Sequence, residues 1–232
     1  MKAAVVVFPG TNCEQDAVYA LESVGVEAAL VWHRATDLSE FAGVVLPGGF
    51  AHGDYLRTGA IARFSPIMSE VERLADAGAP VLGICNGFQI LCEAGLLPGV
   101  LLQNAGLRFI CRPVQLRVTS TDSILTRAAR IGQILEIPLN SYEGNYATDP
   151  ATFADLERND RIVLRYSDPT GAVTAQANPN GSLGNTAGIA NRTGNVAGLM
   201  PHPERAIESV LGSSDGRVLL ESFAMSMSGA DG

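Results

Sequence analysis

The chain has 232 residues, of which 47% are hydrophobic and 17% are charged, and its formal net charge is −8. A chain of this length and composition can bury a full hydrophobic core, so we expect a globular protein. The acidic balance argues against nucleic acids and anionic membranes as partners, because phosphate binding depends on clustered lysine and arginine. No apolar run approaches the ~20 residues of a membrane span, and the N-terminal apolar run is too short for a signal sequence. We therefore expect a cytoplasmic protein with reduced thiols.

The first half of the chain alternates short apolar runs with helical patterns, which is typical of a parallel sheet covered by helices on both faces. Sheets of this kind bind ligands beyond the carboxyl ends of their strands, so the glycine and proline loops after these strands should lie together. In chain order we predict a strand at 3–8, a helix near 13–24, strands at 27–32 and 43–49, a helix near 66–78 and a strand at 80–85.

The second half changes to β patterns separated by turn residues, without a long helical pattern. The predicted strands are residues 113–120, 133–139, 161–166, 172–177, 186–191 and 196–200. A final amphipathic helix is predicted near 216–227, and residues 229–232 look like a frayed tail. Because the chain has no repeat, low-complexity linker or charge run, residues 1–232 are interpreted as a single domain.

Residues 83–87, Gly-Ile-Cys-Asn-Gly, lie between an apolar strand and a helical pattern. They match the G-x-S-x-G nucleophile elbow with cysteine in place of serine, a turn so tight that only glycine fits on either side. The head of the following helix would favour the thiolate. The alternative is that Cys85 is a small buried residue, which is how we interpret Cys13, Cys92 and Cys111. For Cys85 the flanking glycines favour a nucleophile.

A cysteine nucleophile needs a proton shuttle, and the chain has three histidines. In "MPHPER" the prolines on both sides of His202 predict an extended segment, which places Glu204 on the same side of the chain as the imidazole. A carboxylate there can fix the tautomer of the histidine and stabilise its charged form. Neither His33 nor His52 has such a neighbour. A surface loop remains the alternative for this segment.

The oxyanion formed on attack needs backbone donors, and the elbow offers the N–H of Asn86. The loop "LPGGF" could supply a second donor through Gly48 and Gly49, although turn formation alone would also explain that pair. The four cysteines lack C-x-x-C spacing, and no paired-histidine element is present. We therefore expect no metal site.

The motifs "LPGGF", "GICNGFQ" and "MPHPER" together resemble the class I glutamine amidotransferases. Longer blocks, among them "VLPGGFAHGDYLRTGAIA" and "NPNGSLGNTAGIANRTGNVAGLMPHPERA", are similar to the glutaminase subunits of phosphoribosylformylglycinamidine synthase, which serve de novo purine synthesis. The resembling blocks run from residue 7 to residue 206. The resemblance implies a flavodoxin-like α/β fold: a central, mostly parallel sheet flanked by helices, with additional antiparallel strands in the second half.

The resemblance also implies roles for the candidate residues. Cys85 would attack the side-chain amide of glutamine, release ammonia and form a glutamyl thioester that water then hydrolyses. His202 would protonate the ammonia and activate the water, and Glu204 would orient His202. The oxyanion hole would consist of Gly49 and Asn86. A further pair would hold the substrate glutamine: Gln89 and the backbone at Phe50.

The same resemblance implies partners. The chain has no phosphate-binding P-loop, so it could make ammonia without using it. The implied partners are a separate synthetase subunit, which would use ATP and magnesium, and a small bridging subunit. This chain itself would carry no cofactor. Residues 53–57 are interpreted as a partner interface or ammonia exit, and full glutaminase activity would depend on the partner.

One segment departs from the family pattern. The family carries His-Gly-Glu-Gly after a proline, whereas residues 138–144 here read Pro-Leu-Asn-Ser-Tyr-Glu-Gly, with Ser141 in the position of the histidine. This departure bears on how the loop seats the amino-acid end of glutamine or docks on the partner. Two other functions stay open: a cysteine peptidase or γ-glutamyl hydrolase on the same fold, and a non-catalytic binding module that kept the elbow.

Overall fold

A nine-stranded sheet organises the chain and joins both halves of the sequence, in the strand order β2-β1-β3-β4-β11-β10-β9-β6-β7. The computed structural model describes residues 1–228, so the predicted frayed tail lies outside the described residues. The strands of this sheet are β1 (Lys2–Val7), β2 (Glu27–Trp32), β3 (Gly43–Leu46), β4 (Val81–Ile84), β6 (Ile110–Val118), β7 (Ile134–Ser141), β9 (Ile162–Ser167), β10 (Thr186–Ala190) and β11 (Val196–Leu199).

Strands β2, β1, β3, β4 and β11 are mutually parallel, and the pairings from β11 to β7 are antiparallel. The predicted fold class is therefore confirmed. Strands β3 and β4 are buried at every position, as expected for parallel strands covered on both faces. The carboxyl ends of β1, β3, β4 and β11 lie at one edge, where the expected ligand crevice should form.

The described residues 1–228 form five α-helices, and one continuous hydrophobic cluster extends from β1 to the last helix. The helices are α1 (Glu14–Ser23), α2 (Ile67–Asp76), α3 (Asn86–Glu93), α4 (Pro150–Arg158) and α5 (Arg217–Ser228). Helix α2 shows the underlying pattern, because its buried residues, from Ile67 through Val71 to Leu74, recur at helical spacing. No helix within residues 1–228 combines the length and apolar character that crossing a bilayer requires.

The structure corrects the second half in three places. Residues 172–177 do not form the predicted strand, because their amides close local turns such as Ala177 N–H to Thr174 O. Helix α4 was missed, although Asp149 caps it and Pro150 occupies its first position, a recognisable start signal. A two-stranded ribbon of β5 (Val100–Leu102) and β8 (Asn145–Ala147) was also missed.

Candidate active site

A cavity of about 420 Å³ opens at the carboxyl ends of the parallel strands. Its lining combines Cys85 after β4, His202 after β11 and Gly49 after β3. Its volume falls in the range of ordinary small-molecule sites, roughly 300–1,000 Å³. Three segments that are far apart in sequence therefore meet around one small-molecule-sized space.

Cys85 lies at the turn between β4 and α3 in a strained backbone conformation, with φ 51° and ψ −105°. A β-carbon placed on Gly83 would come within 2.7 Å of the Gly87 carbonyl group, and one placed on Gly87 would overlap the carbonyl oxygen of Leu46 in β3. Strand, turn and helix are thus packed too closely for any side chain at these glycines. This is the physical reason for the Gly-x-Cys-x-Gly pattern.

The sulfur of Cys85 is nearly buried and faces polar groups. Its Sγ lies 3.6 Å from the carbonyl oxygen of Asn140 on β7. The following helix begins at Asn86, so the first N–H groups of α3 have no intrahelical acceptor and point back towards the turn. A helix N-terminus stabilises negative charge, so a charge that develops at this turn during a reaction faces the positive end of the α3 dipole.

His202 and Glu204 form a tight buried pair. His202 Nδ1 and Glu204 Oε1 are 2.6 Å apart, and each residue exposes only 2% of its surface. Burial alone would lower the pKa of His202. The Glu204 carboxylate and the Cys85 sulfur oppose this effect and outweigh it, so the pKa lies well above 6.5. Because Nδ1 is held by the carboxylate, Nε2 is the ring nitrogen left for chemistry.

The loops after β1 and β3 are bound to each other at the cavity wall. Phe50 N–H donates to the carbonyl of Gly10 at 2.9 Å, and Cys13 N–H donates to the carbonyl of Gly48 at 3.2 Å. A β-carbon on Gly49 would lie 2.7 Å from the α-carbon of Thr11, so only glycine permits this approach. The Gly48-Gly49 pair is therefore needed to hold the loops in place.

Asn86 and Gln89 form a hydrogen-bonded chain along the cavity. Asn86 Nδ2 donates to Gln89 Oε1 at 2.9 Å, and Gln89 Nε2 donates to the carbonyl of Glu143 at 2.6 Å. The Asn86 Oδ1 atom accepts from the N–H of Ala51 at 3.0 Å. The first turn of α3 is thus linked to the loop after β3 and to the loop after β7.

The chain is similar to known proteins along nearly its whole length. Residues 1–219 match the family model of the CobB/CobQ-like glutamine amidotransferase domain. The chain is 56% identical to phosphoribosylformylglycinamidine synthase subunit PurQ of Moorella thermoacetica, over 96% of this chain and 95% of the relative. The corresponding subunit of Koribacter versatilis is 53% identical, over 98% and 99%.

A solved structure described as PurLQS from Thermotoga maritima matches with a TM-score of 0.85 and 41% identity, over 97% of each chain. The chain belongs to the PurQ family of glutamine amidotransferases. The glutaminase domain of the Trypanosoma brucei CTPS, 14% identical with a TM-score of 0.61, shares the fold. The identification of the chain from its motifs as a PurQ family member is therefore confirmed.

Most site residues predicted for this PurQ family member lie at the cavity beside Cys85. Five of them line the cavity directly: Gly49, Phe50, Cys85, Gln89 and His202. Asn86 lies in the first turn of helix α3, next to Cys85. Glu204 stands behind His202. The other histidines do not line the cavity, because His33 and His52 pack against each other with ring centroids 5.3 Å apart.

One expectation about the remaining cysteines needs correction. Cys111 is exposed on β6 and is not a core residue. Cys13 is buried as expected, but its sulfur accepts a hydrogen bond from Arg205 at 3.3 Å and it lines the cavity.

A group of three side chains at the cavity could hold a metal ion. Cys13, His202 and Glu204 each offer one ligand atom, and these three atoms lie within 4.8 Å of one another. The absence of a metal site stays a prediction.

Sequence reasoning missed the residues that shape the loop at 141–144. Asn104 Nδ2 donates to the carbonyl of Ser141 at 2.9 Å, and its Oδ1 accepts from Gly144 N–H at 3.1 Å. Asn180 Nδ2 donates to the carbonyl of Gly144 at 2.8 Å. Asn180 belongs to "NPNGS", so this block supports the loop that lines the cavity. No comparable signal in the sequence marked Asn104.

Proposed function

We propose that this chain hydrolyses glutamine to glutamate and ammonia as the glutaminase subunit of phosphoribosylformylglycinamidine synthase. The ammonia passes to an ATP-dependent synthetase subunit, which converts formylglycinamide ribonucleotide to formylglycinamidine ribonucleotide in de novo purine synthesis. The observation that carries the proposal is the strained Cys85 in one cavity with the buried His202–Glu204 pair, in a PurQ family chain.

In the first half-reaction the Cys85 thiolate attacks the side-chain amide carbon of glutamine. The C–N bond breaks, His202 gives its proton to the leaving nitrogen, and a glutamyl thioester remains on Cys85. The raised pKa of His202 supports this role, because it favours the imidazolium form that donates the proton. Glu204 holds Nδ1 and leaves the donating nitrogen facing the substrate.

In the second half-reaction water hydrolyses the thioester. Neutral His202 accepts a proton from the water, whose oxygen forms the new bond to the acyl carbon and displaces the Cys85 sulfur. Negative charge develops on the carbonyl oxygen in both steps, and the N–H groups of Gly49 and Asn86 stabilise it. The N–H of Asn86 suits this role because it heads α3 without an intrahelical acceptor.

Substrate contacts and cellular location belong to the same proposal. Gln89 and the backbone at Phe50 contact the bound glutamine, since both residues line the cavity beside Cys85. The chain works in the cytoplasm and carries no cofactor of its own. ATP and magnesium are used by the synthetase subunit.

The partner surface lies beside the cavity. Tyr55 and Leu56 expose 74% and 90% of their surfaces, and Phe64 is exposed nearby in sequence. Exposed apolar groups of this size mark interaction sites more often than free surface. This patch, Tyr55, Leu56 and Phe64, contacts the synthetase subunit, with a small bridging subunit completing the complex. Partner contact controls activity and prevents free ammonia from being lost.

The test is glutamate release from glutamine, by the chain alone and mixed with purified synthetase and bridging subunits. Cys85→Ala serves as the blank, and Cys92→Ala, another cysteine of the same region, is the matched control. We expect release to rise sharply with the partners, to vanish in Cys85→Ala and to persist in Cys92→Ala. No release with the partners demonstrably bound would overturn the proposal, and hydrolysis of casein or γ-glutamyl peptides instead would favour a peptidase or γ-glutamyl hydrolase.

A further inference from the structure

Cys13 lines the cavity, and the proposed mechanism gives it no role. It lies in the loop between β1 and α1 and exposes only 3% of its surface. Its sulfur is close to the buried pair, because one ligand atom each of Cys13, His202 and Glu204 lie within 4.8 Å of one another. The histidine of the proposed mechanism therefore has a sulfur as a neighbour in addition to its carboxylate.

Gly48 makes this closeness possible. A β-carbon placed on Gly48 would lie 3.1 Å from Cys13 Sγ and 2.8 Å from Cε1 of the His202 ring. The sulfur and the imidazole therefore border the same space, which a glycine leaves free. The N–H of Cys13 donates to the carbonyl of Gly48 at 3.2 Å. The backbone that carries the sulfur is thus fixed beside the ring.

Two polar side chains hold the sulfur. Its S–H donates to Oδ1 of Asn12 at 3.2 Å, and its Sγ accepts from Nη2 of Arg205 at 3.3 Å. Arg205 has another anchor, because its Nε donates to Asp16 Oδ2 at 3.1 Å. That ion pair is partly exposed, and exposed pairs contribute little stability. The buried sulfur therefore supplies the second anchor that fixes the guanidinium.

The position of this guanidinium matters because Glu204 is its neighbour in sequence. Oε1 of Glu204 holds His202, but Oε2 is buried without a hydrogen-bond partner within residues 1–228. Arginine is a strong, frequently bidentate partner of carboxylates. A guanidinium that turned to Oε2 would neutralise the charge that stabilises the imidazolium of His202. By holding Arg205, Cys13 keeps the carboxylate free for the imidazole.

The charge balance at His202 agrees with this arrangement. Burial alone would lower its pKa, whereas Glu204 and the sulfurs of Cys85 and Cys13 raise it. Its Nε2 is buried without a hydrogen-bond partner within the described residues, so the ring is not held from that side. The orientation of the ring therefore depends on its other neighbours, Glu204 and Cys13.

We propose that Cys13 is a positioning residue for His202, whose sulfur fixes the imidazole beside Glu204 and holds Arg205 away from that carboxylate. The inference rests on the proposed function for its kinetic part, since His202 moves the proton there. The sulfur acts through His202 and not on the substrate. Its substitution therefore changes the rate of reaction rather than the binding of glutamine.

The test combines an NMR titration of His202 in the chain with the pH profile of glutamate release in the complex with the synthetase and bridging subunits. Cys13→Ala and Cys13→Val both remove the hydrogen-bonding sulfur, and the valine variant keeps the space filled in case the alanine variant does not fold. Cys13→Ser keeps a donor and an acceptor. Cys92→Ala removes a thiol from α3 and is the matched control. The signal of His202 is assigned with His202→Asn.

We expect Cys13→Ala and Cys13→Val to lower the pKa of His202 and to shift the alkaline limb of kcat/KM to lower pH. The kcat should fall about fivefold, as for one lost hydrogen bond, with the KM for glutamine nearly unchanged. Cys13→Ser should restore the pKa and most of the rate, and Cys92→Ala should behave as the unsubstituted chain.

Two results would overturn the positioning role. One is an unchanged pKa of His202 in Cys13→Ala and Cys13→Val, and the other is a Cys13→Ser variant no better than Cys13→Ala. No glutamate release by the unsubstituted complex would refute the proposed function instead, and the NMR titration would still decide on Cys13.

Discussion

The strained backbone at Cys85 allows a quantitative prediction. A non-glycine residue in such a conformation costs roughly 1–3 kcal/mol. Glycine tolerates it but loses about 0.4–1 kcal/mol through the larger freedom of the unfolded chain. Cys85→Gly should therefore be more stable than Cys85→Ala by about 1.5 kcal/mol. For a chain of this size this corresponds to a melting temperature about 3–6 °C higher. Both variants lack the sulfur, so its contribution cancels in the comparison.

The assay is thermal unfolding by calorimetry, with urea unfolding as a check. Cys92, in a regular turn of the same helix α3, is the matched control position. There the order should reverse, because glycine inside a helix is about 1 kcal/mol worse than alanine. A Cys85→Gly variant no more stable than Cys85→Ala would show that the turn stores no strain, and the argument from the dihedral angles would be wrong.

Three further predictions concern the site and its frame. Gly87→Ala should cost about 1–3 kcal/mol, because its methyl group overlaps a β3 carbonyl, whereas Gly106→Ala, with open space around it, should be nearly neutral in calorimetry. By NMR titration of the chain with Cys85 in place, the pKa of His202 should lie above 6.5, and Glu204→Gln should lower it; an unchanged pKa would refute the pairing. Since the folded-state pKa is raised, the stability from this protonation is present below pH 6.5 and lost as the pH rises through the folded value. Asn104→Ala should cost about 1–3 kcal/mol and raise the KM for glutamine, and an unchanged KM would separate the loop from substrate binding.

The parts that the sequence predicted well are those specified by local chemistry. The elbow at Cys85 was readable because its glycines are required by contacts within one strand, one turn and one helix. The pairing of His202 with Glu204 was predicted and is observed, but the predicted reason was wrong. Residues Pro203–Arg205 form a 3₁₀ turn and not the extended segment that the prolines suggested, and this turn brings the carboxylate to the imidazole. The parallel half was readable because each of its strands carries its own apolar run.

The parts that the sequence did not reveal depend on contacts between distant segments. Cys13 reads as a core cysteine, and only the fold brings it to Arg205, 192 positions away. Asp54 and Glu143 line the same cavity from different loops, with no local pattern that links them. Residues 172–177 have strand-like composition, but Asn185 Nδ2 binds the carbonyl of Thr174 at 2.7 Å and local turns take the amides. Tertiary hydrogen bonds override propensity there.

The cavity is built from two kinds of wall, and the difference bears on control by a partner. Cys85 lies between the fully buried strand β4 and helix α3, in the hydrophobic core of the fold. Asp54 instead lies in a loop where His52, Asp54 and Leu56 all adopt left-handed conformations, next to the exposed Tyr55. Strained, exposed segments are those whose conformation a contact can change at low cost. A protein that binds Tyr55 and Leu56 would therefore act first on the position of Asp54 at the cavity, while Cys85 stays fixed by the core.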